Sequence, residues 1–223
     1  MEYIILGAAL IILIFIFSAF RPSSTQKITE NLYVIRCGIV NFYAFKTANG
    51  VILFDTGINS KSAKRGLEKL GISVEAVTNI FLTHTDYDHA GGIAAFPKAA
   101  VYISKEEEQM INGETPRRGF IHNRRLPSYR TVEDGETLII EKTSVQIYIK
   151  PGHTPGSSAY MIDKHYLATG DLLRVSTKGY IKPFLWLMNK NHKQDIQSIK
   201  EAQNIISDAE YILTGHTGFY KFK

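Results

Sequence analysis

The chain has 223 residues, a formal net charge of +5 and a single cysteine, Cys37, which excludes an intrachain disulfide framework. Its composition is that of an ordinary globular protein, with 44% hydrophobic residues and no repeat or low-complexity tract, and it is long enough to bury one sizeable core. The positive excess is local: Arg117, Arg118, Arg124, Arg125 and Arg130 share one acid-free stretch and account for the +5, so there is a basic loop but not the long basic face that would point to nucleic acid.

Tyr3 to Phe20 is apolar and uncharged. As a helix it would be about 27 Å long, close to the ~30 Å of a bilayer core. A secretory leader would want a positive start and a small-residue cleavage site, and here Glu2 opens the chain and Ser18-Ala-Phe-Arg21 closes the stretch. The expectation is therefore a single-pass membrane anchor over residues 1–21, a linker over 22–30 and one folded domain over 31–223. Arg21 and Lys27 place that domain on the cytoplasmic side by the positive-inside rule.

Leu32 to Thr56 reads as three short strands, with Ala48-Asn49-Gly50 as a hairpin turn between the last two. Cys37 falls inside the strand-like run and is expected as a small core hydrophobe. Ser60 to Leu70 reads as a helix with Ser60 as its N-cap and Gly71 past its end. Val77 to Leu82 is a short apolar run, the pattern of a buried strand. It delivers the chain into His84-Thr-Asp86-Tyr-Asp88-His89, and Gly91-Gly92 then allow a tight turn. Four imidazoles or carboxylates within six positions just past a strand are candidate metal ligands.

Ala99 to Ile103 is a further strand, and Ser104 caps a short helix whose acids Glu106, Glu107 and Glu108 suit its dipole. Gly113 to Arg130 has no period and reads as a long functional loop holding His122. Paired strands follow at Thr137–Glu141 and Val145–Ile149, then a turn, Lys150-Pro-Gly-His153-Thr-Pro-Gly156-Ser, with a histidine at its tip. A hairpin over Ser158–Ile162 and Tyr166–Thr169 runs into Gly170-Asp171. Ile181 to Met188, with Trp186, is apolar without being a strand and is expected to pack on the core, to cover the site, or to dip into a membrane. Gln194 to Ser207 reads as an amphipathic helix with His192 exposed before it, and Tyr211 to Thr214 ends in Gly215-His216.

Strand, glycine, then ligand is a form repeated at His153, Asp171 and His216. Together with the H-x-D-x-D-H stretch, the Phe54-Asp55-Thr56-Gly57 run and Asn41-Phe-Tyr, these residues resemble the metallo-β-lactamase superfamily over roughly Leu32 to His216. The resemblance implies an α+β fold, a four-layer αββα sandwich. It implies that His84, Asp86 and His153 hold one divalent ion and that Asp88, His89 and His216 hold a second. Asp171 would bridge them and Asp55 would support the ligand loop from behind. It also implies a hydrolase whose metal-bridging hydroxide cleaves an ester, thioester, lactone or phosphodiester, with Asp88 orienting the nucleophile or carrying its proton.

Asp86 stands where the family has its second histidine. The added carboxylate brings the formal charge of the ions, hydroxide and carboxylates from about +1 to about zero, so the site acidifies its water less, and its oxygen as a ligand favours harder ions. Two zinc ions are the first expectation, with iron or manganese as alternatives. With iron, a redox enzyme acting on oxygen, peroxide or a persulfide is the second reading. His122, Arg124, Arg125 and Trp186 are candidate substrate contacts, and the arginines favour an anionic small-molecule or lipid-like substrate.

Overall fold

Alternation along β2 (Leu32–Cys37) sets the layering. Successive strand side chains point to opposite faces. Leu32 and Val34 go into one buried cluster, while Tyr33, Ile35 and Cys37 go into another. Both faces of this strand are therefore covered, and the same holds for β3 (Val40–Lys46) and β4 (Val51–Phe54).

The computed structural model describes residues 20–222. Its first sheet has seven strands in chain order, beginning with β1 (Gln26–Lys27) and the three strands above. It continues through β5 (Val77–Phe81), β6 (Ala100–Ser104) and β7 (Arg130–Val132). The hairpin turn at Ala48–Gly50 joins β3 to β4 as expected, and from β4 to β7 the pairing is parallel. The second half supplies β8 (Thr137–Ile140), β9 (Thr143–Ile149), β10 (Ser158–Ile162) and β11 (Tyr166–Gly170). A separate ribbon, β12 (Leu173–Val175) with β13 (Ile181–Pro183), precedes β14 (Tyr211–Thr214) and β15 (Gly218–Lys221). The second sheet runs β15-β14-β11-β10-β9-β8.

The two sheets bury Phe54, Phe81, Tyr160, Ile162 and Leu213 between them. Helix α1 (Ser60–Glu68) covers the outer face of the first sheet with Ala63 and Leu67. On the outer face of the second, Ile199, Ala202 and Ile206 pack on Met161 and Ile212. They belong to α4 (His192–Glu201), α5 (Gln203–Asp208) and the residue between these helices. Between these layers in sequence lie the short α2 (Tyr87–Ala90) and α3 (Glu108–Ile111). The order is the expected αββα sandwich.

Several local expectations differ. The N-cap of α1 is Asn59, whose side chain accepts from the Ser62 amide, so Ser60 is the first helical residue. The helix expected over 194–207 is two helices, broken at Ala202, where ψ is 0°. His192 is the first residue of α4 and is only half-exposed. Gly91 and Gly92 are not needed for unusual dihedrals, since their φ values are −65° and −84°. They are needed for close approach: a Cβ would lie 2.0 Å from the Ile58 carbonyl oxygen at the first and 2.1 Å from that of Thr56 at the second.

The apolar stretch read as a membrane anchor lies, apart from Phe20 and Arg21, outside the described residues. Among the described residues no helix is long and apolar enough to cross a membrane. The segment read as a linker is held against the domain. Its β1 pairs with β2 and the Ser23 amide donates to Asn41 Oδ1 at 2.7 Å; just before it, the amide of Arg21, the last residue of the expected anchor, donates to the His216 carbonyl at 2.7 Å.

Candidate metal centre

The parallel strands β4, β5, β11 and β14 all deliver their C-terminal ends to one edge of the sandwich. Asp55 follows β4, His84 follows β5, Asp171 follows β11 and His216 follows β14. His153 arrives there from the turn between β9 and β10. Asp88 and His89 occupy the single turn of α2, which Asp86 precedes.

All seven expected ligands meet. His153 Nε2 is 3.2 Å and His84 Nε2 3.6 Å from Asp86 Oδ2. His216 Nε2 is 3.2 Å and His89 Nε2 3.9 Å from Asp88 Oδ2. Asp171 lies between the two sets, with Oδ2 3.2 Å from His216 Nε2 and 3.5 Å from His153 Nε2 and Oδ1 3.5 Å from His89 Nε2.

The outward nitrogens of the four histidines are all engaged. Nδ1 of His89 meets Asp55 Oδ2 at 2.8 Å, and that of His216 meets the Ile39 carbonyl at 2.8 Å. Nδ1 of His153 meets Asn189 Oδ1 at 3.0 Å, and that of His84 meets Thr83 Oγ1 at 3.1 Å. Such partners orient each ring and make Nε2 the atom that is bared for an ion when the inner proton leaves. On the inner side His84 Nε2, His89 Nε2 and Asp171 Oδ1 are buried without any hydrogen-bond partner. Buried polar atoms are rarely left so. Three of them facing one another, drawn from imidazole and carboxylate, fit a divalent cation. The donor set, oxygen and nitrogen with no sulfur, suits zinc, iron or manganese.

Electrostatics support this. Burial would push the His216 imidazole down, but Asp171 and Asp88 outweigh it and hold it up to about 10. His89 is likewise raised, with Asp171 and Asp55 overcoming its burial. An ion must displace these protons to bind. Loading zinc into metal-free protein at pH 7 is therefore expected to release on the order of two protons per chain. Indicator-dye titration in weak buffer measures this, and loading without acid release would contradict the ligand assignment.

Asp86 has a partner that its position in the sequence does not announce. Arg117 Nε lies 2.7 and 2.8 Å from its two oxygens, and Asn123 Nδ2 donates to Oδ1 at 3.1 Å. The guanidinium also reaches His153 Nε2 at 3.1 Å and the Met188 carbonyl at 2.7 Å. Counting Arg117 restores the formal charge that Asp86 removed, while the Asp86 carboxylate remains an oxygen donor. Among the candidate substrate contacts, His122 and Arg124 line a cleft of about 570 Å³ with Asp86, Asp88, Arg117 and Arg118. Arg125 lies in a neighbouring hollow with Leu126 and Tyr129, and Trp186 stands exposed outside the cleft lining. From the same segment it is Phe184 that is buried, its ring 5.1 Å from His153 and 5.5 Å from His216.

Two buried acids were not legible as parts of the site. Glu107, expected as a helix-dipole residue, is 1% exposed and ties the His84 loop to the His153 turn. Asp195 is fully buried, with neither oxygen hydrogen-bonded, and burial pushes its carboxyl from 3.8 up to about 7. The folded chain thus keeps a proton that the unfolded chain has lost. Its contribution to stability is present below about pH 4 and is lost as pH rises toward 7, by at most about 4 kcal/mol. Asp195→Asn, a neutral isostere, is expected to flatten that part of the stability–pH curve and to raise the melting temperature at pH 8. Urea unfolding from pH 4 to 8 tests this, and parallel curves for the two proteins would refute it.

The profile of the metallo-β-lactamase superfamily matches residues 35–216. A Mycobacterium bovis protein called "Probable metallo-hydrolase" is 27% identical over 176 residues, covering 58% of this chain and 57% of its own length. The chain thus spans a little over half the length of that relative. An N-acyl homoserine lactonase of a Bacillus species is 23% identical over 208 residues, 78% of this chain and 79% of its own. Among solved structures, a B3 metallo-β-lactamase described as having an active-site glutamic acid superposes with a TM-score of 0.68 at 19% identity, covering 92% of this chain and 85% of its own.

Proposed function

The chain belongs to the metallo-β-lactamase superfamily, and on that premise we propose that it is a metal-dependent hydrolase of carboxylic ester or lactone bonds in an anionic substrate. The observation that carries this is the shared carboxylate: Asp171 lies within 3.5 Å of Nε2 atoms from both ligand sets, and its Oδ1 has no other partner. His84, Asp86, His153 and Asp171 would hold one ion, and Asp88, His89, His216 and Asp171 the other. A bound pair of zinc ions supplies Lewis acidity and lowers the pKa of water toward neutrality.

The chain's own groups do the rest. Asp86 and Asp88 both touch the ligand set and line the cleft, but Arg117 holds Asp86, and Asp88 is the more exposed, 29% against 14%. It is placed to take a proton at its free oxygen lone pairs and return it to a leaving alkoxide. Arg118 and Arg124 line the same cleft and give it a positive wall that attracts an anion. Phe184 is buried against His153 and His216 and excludes water from that side of the ligands. The lactonase relative favours a cyclic or acyclic acyl ester over a phosphodiester. The charge restored by Arg117 favours a strongly acidified water and so the hydrolytic reading, while the Asp86 oxygen donor keeps iron or manganese as alternatives to zinc.

The test is metal analysis together with a panel of chromogenic esters, lactones, thioesters and phosphodiesters. It calls for the full chain, because residues 21–27 bond to the domain and one of those bonds reaches the His216 carbonyl. Zinc-dependent turnover of acyl esters or lactones, faster for carboxylated than for neutral analogues, is the expected outcome. A protein that binds no divalent ion, or one that cleaves only phosphodiesters, would overturn the reading.

A further inference from the structure

We propose that the rim of the cleft is a docking face for an anionic lipid bilayer, so that the site opens at the level of the headgroups. Eight large apolar side chains stand exposed among the described residues, and five of them, Tyr87, Phe120, Ile121, Trp186 and Leu187, lie on the segments that frame the cleft. Phe120 is 91% and Trp186 65% exposed. Tyr87 and Ile121 line the cleft wall itself, and Leu187 lines a shallow hollow beside it with Arg118 and Lys190. The two segments are tied to each other: Arg118 donates to the Leu187 carbonyl and Arg117 to that of Met188. They therefore present one continuous edge.

Isolated exposed apolar residues need no explanation, but a contiguous group of aromatics does. Here the group is interleaved with Arg118, Arg124, Arg125 and Lys190, and no acid occurs between residues 115 and 132. Aromatic rings beside arginines and lysines are the composition of surfaces that sit in a headgroup layer. The ring takes the boundary and the cation takes the phosphate. A partner protein would ask for the rings without requiring so uniform a charge.

A separate observation gives the direction. The uncharged stretch Tyr3–Phe20 joins the domain beside the metal ligands, at His216, whose Nε2 lies 3.2 Å from the cleft-lining Asp88. The Phe20 ring stacks on His216 with centroids 4.4 Å apart, and it lies 6.2 Å from Phe184. A bilayer that takes up that stretch is thereby held next to the ligand set into which the cleft leads. The substrate would then reach the cleft from the headgroup layer. A docked face of this kind does not depend on which bond is cut, so failure of the ester panel would leave it standing.

Trp186 is the sole tryptophan of the chain, so intrinsic fluorescence reports on the rim alone. Full-length protein is reconstituted with vesicles of phosphatidylcholine, or of phosphatidylcholine with phosphatidylglycerol, each with and without brominated acyl chains. On anionic vesicles Trp186 emission is expected to move to the blue, to lose access to aqueous acrylamide and to be quenched by brominated chains. Quenching is expected to be at least about twofold weaker on neutral vesicles. Phe120→Ser, at a position too exposed to matter for folding, should reduce the quenching while leaving the protein bound through its N-terminal stretch. Trp186 that stays open to acrylamide and untouched by bromine on both vesicles would overturn the proposal. So would quenching independent of lipid charge, or burial of Trp186 in a sedimenting dimer without lipid.

Discussion

Glu107→Ala is expected to lower the melting temperature by about 10 °C and to weaken zinc binding. The carboxylate is buried, and four donors converge on it. Oε1 accepts from the Thr85 amide at 2.8 Å and from Thr85 Oγ1 at 2.8 Å. Oε2 accepts from Thr154 Oγ1 at 2.7 Å and from the Gly156 amide at 3.1 Å. Thr85 sits between His84 and Asp86, and Thr154 follows His153, so one side chain sets the spacing of ligands that are far apart in sequence. Truncation leaves two buried backbone N–H groups and two hydroxyls facing a void. Unsatisfied buried donors cost roughly 1–3 kcal/mol each, and even with partial relaxation the total is about 3–5 kcal/mol. In a domain of this size that corresponds to about 10 °C. Burial pushes the Glu107 carboxyl above its usual 4.5, with His84 and the hydrogen bonds pulling the other way. The folded form therefore holds its proton longer than the unfolded one, and this part of the stability falls as pH rises past the usual value. The wild-type-to-alanine gap should accordingly narrow slightly above that window without closing, because the acceptors persist when the charge changes. Calorimetry of metal-free protein across pH decides the matter, and a loss under about 2 °C would show that the four contacts are incidental.

The sequence made the ligands legible and their supports illegible, for a physical reason. Each ligand is announced locally. A short apolar run, a glycine and then His or Asp can be read from neighbouring residues, because the strand end and the ligand are one piece of chain. Glu107 is announced by nothing local. Glu106, Glu107 and Glu108 look alike in sequence, and only the placement of the 153–156 turn decides which of them faces inward. Arg117 is similar. The acid-free run of arginines is visible, but that one of them neutralises Asp86 depends on how an 18-residue loop lies across the site. The charge count made from the ligands alone missed the cation 2.7 Å away. At the level of the fold, β2 to β6 and β8 to β11 follow from alternation and turn residues. By contrast, β1, β12 and β13 have two or three residues each, too few for a period, and they exist only through their partners.

Asp55→Asn is expected to leave the fold intact and to weaken divalent-ion binding by about 10- to 100-fold or more. Asp55 has φ of 64°, a left-handed conformation that asparagine tolerates nearly as well as aspartate, so the backbone is not strained by the change. The carboxylate accepts from three donors: the Thr83 amide at 2.8 Å, Thr83 Oγ1 at 2.9 Å and His89 Nδ1 at 2.8 Å. An amide has one acceptor oxygen where the carboxylate has two. If that oxygen stays on the Thr83 amide, the NH2 faces Nδ1 of His89. The imidazole then takes its other tautomer, with the proton on Nε2, the atom that must be bare to bind an ion. If the amide flips, the oxygen serves His89 but the NH2 opposes the buried Thr83 N–H, and the strand end that carries His84 must move. Either way one ligand is lost or displaced. The negative charge that raises His89 goes as well, which weakens its hold on a cation. Asp55→Glu keeps the charge but not the reach and should fall between. Competition for zinc against a chromogenic chelator measures the affinity, and the nitrogen chemical shifts of His89 report the tautomer directly. Unchanged affinity with Nε2 still deprotonated would mean that Asp55 does not control this ligand, and the assignment of His89 to the centre would have to be withdrawn.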